Sequence, residues 1–386
     1  MDIIKETKKI EDYIIELRRE FHRNPELALQ EFETSKIIKR ELNKIGVDYV
    51  DCGETGIVAT IGNGQKKKIA LRADMDALKI DENTGVEYAS LNKGVMHACG
   101  HDSHMASLIG ATIILKKYEN ELPGKVVIIF QAAEENSTGA KIIIENGHLE
   151  KVDEIFGLHV FGDMECGKIS IEKGYRMAAS HKFKIYIKGK SGHAGKPHQC
   201  VDATLVCASI VMGIQSIVSR EIDPIDPAVV TIGHMVSGAS HNIISGDAFI
   251  EGTVRMFSEE NAKKIETSIK RIAYSIAKAH GAIATIEYNL SSHPAVYNDE
   301  KAVNTALKGA RNLFNEEDII SVPKMMLGED FSVYQKNIPG VFAFVGGGNE
   351  KRGINFPNHN EKFNIDERAI LISMQLYLAY VLEAIK

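Results

Sequence analysis

The run GVMHACGHDSHMA, residues 94–106, sets three histidines, a cysteine and an aspartate among small and apolar residues. Cys99 and His101 stand two apart, a spacing that puts them on opposite sides of a helix but lets both converge on one ion in a turn. The pattern that follows, SHMASLIGATIILKK, has helical spacing, so the pair belongs to a loop just before a helix N-terminus, with Asp102 near the cap. A carboxylate, imidazoles and a thiolate cannot be buried together without partners, and a metal ion partners all of them. His97 or His104 alone would read as an ordinary core or surface histidine. The cluster is what points to metal.

Three further features supply donors. Glu134 and Glu135 close the apolar run GKVVIIFQAAEE, His159 closes DEIFGLHV, and His359 sits in FPNHNEKFNID. Asp74 and Asp76 follow IALRA in the same way. Paired carboxylates are usually a solvated acidic loop, but these two end a strongly apolar strand. Ligands of open α/β sheets bind beyond the carboxyl ends of the strands, so separate strands aim their polar ends at one place.

At 386 residues the chain is too long for one ordinary core, and two domains are expected to hold these side chains. From Glu11 to Ile45 apolar positions recur at helical spacing, divided into two helices at Asn24-Pro25. Continuous apolar runs follow, GIVATI, KKIALRAD, GKVVIIFQAAEE and DEIFGLHV, with helical segments such as 107–119 between them. That is an α/β layer fold. After about Met177 the style changes to SHKFKIYIKGK, an alternating, half-exposed strand. A helix (about 202–219), the strands AVVTIGHMVSG and DAFIEGTVRMF, a long helix (about 259–280) and the strand AIATIEYNL come next. The order βαββαβ is the ferredoxin-like split unit. Beyond Pro294 the α/β style returns, with a helix near 302–314, the strand GVFAFVGGG and a terminal helix from Ile365. The expected domains are a catalytic domain made of 1–177 and 295–386 and an inserted domain of 178–294.

A formal charge of −6 disfavours a nucleic-acid partner. MDIIKETKKIEDYIIELRREFH reads as a charged amphipathic helix rather than a signal peptide. The longest apolar runs, such as Val126 to Phe130, are too short to span a membrane. Five cysteines without a CxxC pair argue against a disulfide framework. A cytoplasmic protein is expected, with neither nucleic acid nor membrane as partner.

The stretches RREFHRNPELALQEFETS, RADMDAL, MHACGHDSHMA, QAAEE, GLHV, SGHAGKPH, HNIISGDAFIEGTVR, GEDFS and NHNEKFNIDE appear in that order. Together they resemble the aminoacylase and carboxypeptidase family of dinuclear metallohydrolases. The match is to its amidohydrolase branch, which includes hippurate hydrolases, N-acetyl-diaminopimelate deacetylases and indole-acetyl-amino-acid hydrolases. The resemblance runs from about Arg18 to Glu367.

It implies a mixed-sheet catalytic domain with an inserted ferredoxin-like lid and dimerisation domain, and hence a homodimer. It makes Cys99, His101, Glu135, His159 and His359 the metal ligands, Glu134 the catalytic base, and Asp74 a carboxylate that orients a ligand histidine. In much of the wider family a ligand histidine stands two residues before that aspartate. Here the position is Arg72, so the Cys-Gly-His element must supply ligands instead. Two divalent ions per subunit are implied, and a thiolate favours Mn, Zn, Ni or Co over Mg. In the inserted domain, His193 matches a histidine that reaches the partner subunit's site to stabilise the oxyanion, and Asn242 and Arg255 match positions that touch the substrate's carbonyl or carboxylate. Without the resemblance these three read as turn and sheet-edge polar residues. GEDFS (328–332) resembles the segment that lines the site next to the substrate, and without the resemblance it reads as a plain loop.

The function that follows is a metal-dependent amidohydrolase that cleaves an N-acyl-amino acid, a small-molecule substrate, into a carboxylic acid and a free amino acid through a metal-bound hydroxide. A dipeptidase or carboxypeptidase of the same family hydrolyses the same bond type and is the alternative within enzymes. A non-catalytic metal-dependent binding protein is the other, and a base at Glu134 beside the ligand argues against it. No GxSxG elbow competes for the nucleophile's role.

Overall fold

Runs such as KVVIIFQ are apolar at every position because both faces of their sheet are covered. In the computed structural model, which describes residues 1–288 and 293–386, these runs pair into one seven-stranded sheet. Its strands are β1 (Tyr49–Cys52), β2 (Gly56–Ile61), β3 (Lys68–Asp74), β4 (Lys125–Gln131), β5 (Glu154–Glu165), β6 (Ile169–Ser170) and β11 (Gly340–Gly348), in the order β1-β2-β4-β3-β5-β11-β6. β4, β3, β5 and β11 run parallel. β1, β2 and β6 are joined antiparallel, which makes the sheet mixed. Because the central strands are parallel, their carboxyl ends share one edge. Asp74 faces Gln131 in register, and the β3–β5 ladder ends at Arg72 and Gly157, so His159 lies just beyond it.

The helices of this part are α1 (Ile3–Lys9), α2 (Glu11–Arg23), α3 (Phe32–Lys44), α4 (His101–Lys117), α5 (Gly139–Glu145), α8 (Glu300–Ala310) and α9 (Arg368–Ala384). The N-terminal stretch that reads as one amphipathic helix is broken at Ile10, whose N–H bonds back to Thr7 O. α4 is buried on nearly every side, which its mostly apolar, small-residue sequence allows.

These elements form the first of two units, Met1–Arg176, Tyr297–Pro323 and Asp330–Lys386. The second comprises Met177–Val296 and Lys324–Glu329. The short return segment joins it because the Ala178 N–H is shared between Met325 O at 3.1 Å and Leu327 O at 2.8 Å, a pairing no local sequence signal announces.

Within the second unit, β7 (Ala179–Lys188), β8 (Val229–Ser237), β9 (Asp247–Met256) and β10 (Ile283–Tyr288) form an antiparallel sheet in the order β8-β9-β7-β10. Asn289 and Leu290, assigned to the last strand from sequence, lie outside the described residues. Phe183, Ile185 and Ile187 of β7 are buried with residues of α6 (Ala203–Ser216) and α7 (Glu259–Ala279), giving the unit its own core. Apolar run length understates α6. With its continuation, Ala203–Glu221 is a 19-residue stretch long and apolar enough to cross a membrane by length and composition. Thr204, Ser209 and Gln215 interrupt its runs without making it polar. Its inner face, Val206, Cys207, Ile210 and Ile214, belongs to the core of this unit.

Candidate metal centre

The donors come from the sheet edge and the loops beside it. β3 ends in Asp74 and leads to Asp76, β4 leads to Glu134 and Glu135, β5 carries His159, and the loop before α9 carries His359. Gly100, the N-cap of α4, has φ 90°, a left-handed conformation that glycine adopts without strain. This reversal leaves Cys99 in the loop and starts the helix at His101. Asn358 ties the segments together, its Nδ2 donating to Cys99 O at 2.9 Å and Val160 O at 3.1 Å. Beside it, the His359 N–H donates to Ala98 O at 2.8 Å. His359 itself has φ 67°, strain of the kind that clusters at functional sites.

The donor atoms converge. Cys99 Sγ lies 3.3 Å from His159 Nε2. Glu135 Oε1 is 3.6 Å from His359 Nε2 and 4.0 Å from His101 Nε2. Cys99, His101 and His159 form one group whose ligand atoms lie within 4.8 Å of one another; Cys99, Glu135 and His359 form a second, and His101, Glu134 and Glu135 a third. Cys99 is shared by the first two. The sequence-predicted ligands therefore fall in one cluster, with Glu134 beside them.

Hydrogen bonds select which ring nitrogens face it. His101 Nδ1 donates to Asp76 O at 2.8 Å and His159 Nδ1 to Val160 O at 3.0 Å, leaving both Nε2 atoms toward the cluster. Among the described residues, buried His101 Nε2 and Glu135 Oε1 have no hydrogen-bond partner. Orphaned buried polar atoms are destabilising, and these lie beside a thiol and two further imidazoles, the donor set of a borderline transition ion. The residues fit two metal ions.

The charges agree. Burial, partly offset by His101, pushes Glu135 up to about 7. Burial and Glu135 push the Cys99 thiol well above its ordinary range. Burial and His104 hold His159 well below the usual imidazole value. Burial also opposes protonation of His101, but Asp74 and Cys99 outweigh it and raise its pKa. A cation among them favours the thiolate, the carboxylate and the neutral imidazoles.

The surroundings differ from expectation in one respect. Asp74 does not accept from a ligand histidine's outer nitrogen: its Oδ1 accepts from His104 Nδ1 at 2.6 Å, and its Oδ2 stands 3.7 Å from His101 Nε2. The acceptor that orients His101 is the main-chain carbonyl of Asp76. His104 Nε2 accepts the Val160 N–H at 2.9 Å, so both its nitrogens are engaged in hydrogen bonds. His97 joins none of the ligand groups among the described residues. Burial pushes its pKa down to about 3, so it is a neutral core histidine.

Arg72 is fully buried. It pairs with Asp74 at 2.6 Å and Asp330 at 3.0 Å, and its Nε donates to Gln131 Oε1 at 3.0 Å. Asp330, in the GEDFS segment but not among the site residues expected from sequence, donates its backbone N–H to Glu134 Oε1 at 3.3 Å. A second buried cluster sits behind the start of α4, where Asp102 Oδ2 meets Arg18 Nε and His22 Nδ1, each at 2.7 Å.

The second unit's candidates do not make one constellation within that unit. Gly192–His193 and Ile243–Ile244 form a short ladder, and the Ala194 N–H donates to Asn242 O at 3.1 Å, so His193 and Asn242 are exposed neighbours. Arg255 lies near the far end of β9, roughly 25 Å along the strand, where its guanidinium bonds the hydroxyls of Ser180 and Thr253.

Residues 70–383 match the model of peptidase family M20/M25/M40. The chain belongs to this family. The N-acetylcysteine deacetylase of Bacillus subtilis (strain 168) is 39% identical, over 97% of this chain and 98% of its own length. Thermostable carboxypeptidase 2 of Saccharolobus solfataricus is 37% identical, over 100% of this chain and 99% of its own. A solved structure from Bacillus subtilis, described as a dinuclear metal binding peptidase from the M20 family, matches with a TM-score of 0.85 at 35% identity, covering 98% of this chain and 100% of that one. The resemblance read from the motifs holds, and the chain is a metal-dependent hydrolase of the M20 type.

Proposed function

We propose that this M20-family chain is an N-acyl-amino acid amidohydrolase whose two divalent ions are held by Cys99, His101, Glu135, His159 and His359. The observation that carries this reading is the position of Glu134, grouped with His101 and Glu135 and oriented by the Asp330 N–H. A binding protein needs ligands alone, whereas a hydrolase needs a base beside them. The chemistry that a pair of such ions supplies is acidification of a water and polarisation of the scissile carbonyl. Glu134 takes a proton from that water as its oxygen adds to the carbonyl carbon. It returns the proton to the amine nitrogen as the C–N bond breaks, releasing a carboxylic acid and a free amino acid. The thiolate of Cys99 favours Mn, Zn, Ni or Co in this role.

Residues 178–294 act as the lid and the dimerisation domain in this reading. β8 and β10 are the edges of its sheet, and sheet edges need a cover. α6 turns Leu205 and Met212 outward, 54% and 72% exposed, an apolar face suited to a second copy of the chain in an isologous homodimer. His193 and Asn242 would serve the oxyanion and the substrate from this domain, and Arg255 the substrate carboxylate. A cytoplasmic location fits five free cysteines.

The similarity to a carboxypeptidase over the full chain favours a second reading, peptide hydrolysis at the same centre. Metal-loaded protein should be assayed on acetyl-, benzoyl- and indole-acetyl-amino acids against dipeptides. The proposal expects the highest kcat/KM on an N-acyl-amino acid. Preference for dipeptides would replace it with the peptidase reading, and failure to cleave either with metal bound would contradict both.

A further inference from the structure

Three consecutive backbone amides in the turn after β4 point at two buried carboxylates. The Ala133 N–H donates to Glu31 Oε1 at 2.9 Å, the Glu134 N–H to Asp76 Oδ1 at 3.1 Å and the Glu135 N–H to Asp76 Oδ2 at 3.0 Å. Glu31 and Asp76 are both fully buried. Glu31 Oε2 also accepts the Thr55 hydroxyl at 2.7 Å, and the main-chain carbonyl of Asp76 accepts His101 Nδ1 at 2.8 Å.

The turn needs holding. Ala133 at φ 56° and Ser137 at φ 60° are left-handed, a conformation that residues with a Cβ keep only where the surroundings over-determine it. Each amide that Asp76 accepts belongs to a residue of the cluster, and its carbonyl fixes the ring of a third. Asp76 therefore joins the turn after β4 to the start of α4, two segments whose separation sets how Glu134 and Glu135 stand relative to His101.

We infer that Asp76 is the positioning residue of this centre, with Glu31 holding the preceding amide. The inference rests on the proposed roles of Glu134 as base and of Glu135 and His101 as ligands. A carboxylate that merely capped a loop would affect the stability of that loop, whereas Asp76 sets metal affinity and turnover.

Asp76→Asn tests it, because the amide keeps one acceptor oxygen and turns a donor toward the other N–H. In protein stripped of metal and dialysed against Mn2+ or Zn2+, the variant should bind an ion about 10–100-fold more weakly. Its kcat on an N-acetyl-amino acid should fall by a similar factor with KM nearly unchanged. Glu31→Gln should bind metal almost as wild type does, since its amide oxygen can still accept the Ala133 N–H while its NH2 donates to Thr55. Should Asp76→Asn not fold, hydrogen exchange of the metal-free wild-type chain carries the test: the amides of Ala133, Glu134 and Glu135 are expected to be strongly protected. Exchange of these amides at open-chain rates would overturn the inference, as would wild-type metal affinity and kcat in Asp76→Asn. A wild-type chain that bound neither ion would instead overturn the metal centre itself.

Discussion

His101 and His193 show two ways of presenting an imidazole. His101 is fully buried, with Nδ1 tied to the Asp76 carbonyl and Nε2 aimed at Glu135 and Cys99. His193 stands exposed on a two-residue ladder, its Nδ1 accepting the Gly195 N–H at 3.0 Å, two residues along the chain. The first ring is held by the core of its unit and the second by its own turn. In the first unit, charge is buried and each polar group must therefore be positioned by another, as Arg72 positions Asp74 and Asp330. In the second unit, His193 and Asn242 are exposed to water, and their geometry costs the fold little. Substitutions of the groups that hold the first region should therefore disturb metal binding, stability or both, with the base Glu134 as the exception that acts on turnover, while substitution of an exposed group such as His193 in the second should leave metal binding and stability intact.

The largest effect should come from Glu134→Gln. Removing the base while leaving the ligands should lower kcat by about 100- to 10,000-fold, with wild-type metal content by elemental analysis. Full activity in this variant would break the account of the first region. Arg72→Met should come next. It leaves Asp74 and Asp330 without their cation, and breaking a buried pair costs roughly 3–5 kcal/mol, measurable by urea unfolding of the metal-free protein. A loss below about 1 kcal/mol, the worth of an exposed pair, would show that this network does not hold the region. His193→Ala should give the smallest structural effect: unfolding free energy within about 0.5 kcal/mol of wild type, unchanged metal content and a lower kcat. A large stability loss would erase the contrast between the two regions.

Much of the sheet and of the donor set was legible because the signals are local. Continuous apolar runs mark buried parallel strands and polar residues at their ends mark the crevice, so Glu134, Glu135 and His159 stood out; Cys99 and His101 stood out by their clustering before a helix, and the family resemblance added His359 and the roles of all six. What was not legible depends on pairings between distant residues. Arg72 meets Asp330 across 258 positions, which no window reveals. The same holds for Arg18 and His22 against Asp102, and for the N–H of Glu134 and Glu135 against Asp76. Asp74 was expected to orient a ligand, yet that contact falls to a main-chain carbonyl two residues on, an atom every residue carries and no motif reports. α6 was understated for a different reason, because run length is a poor guide to a helix with scattered hydroxyl and amide groups.

The central claim is that Cys99 binds metal as a thiolate. Burial and Glu135 keep the metal-free thiol protonated, so a bound cation is what must ionise it. The claim is tested most directly by titrating Co2+ into the metal-free protein and recording the near-ultraviolet thiolate-to-cobalt charge-transfer band, with Cys99→Ser as control. The band is expected to rise to a plateau as two ions bind per chain and to be lost in Cys99→Ser. Its absence from the wild-type chain with both ions bound would contradict the claim.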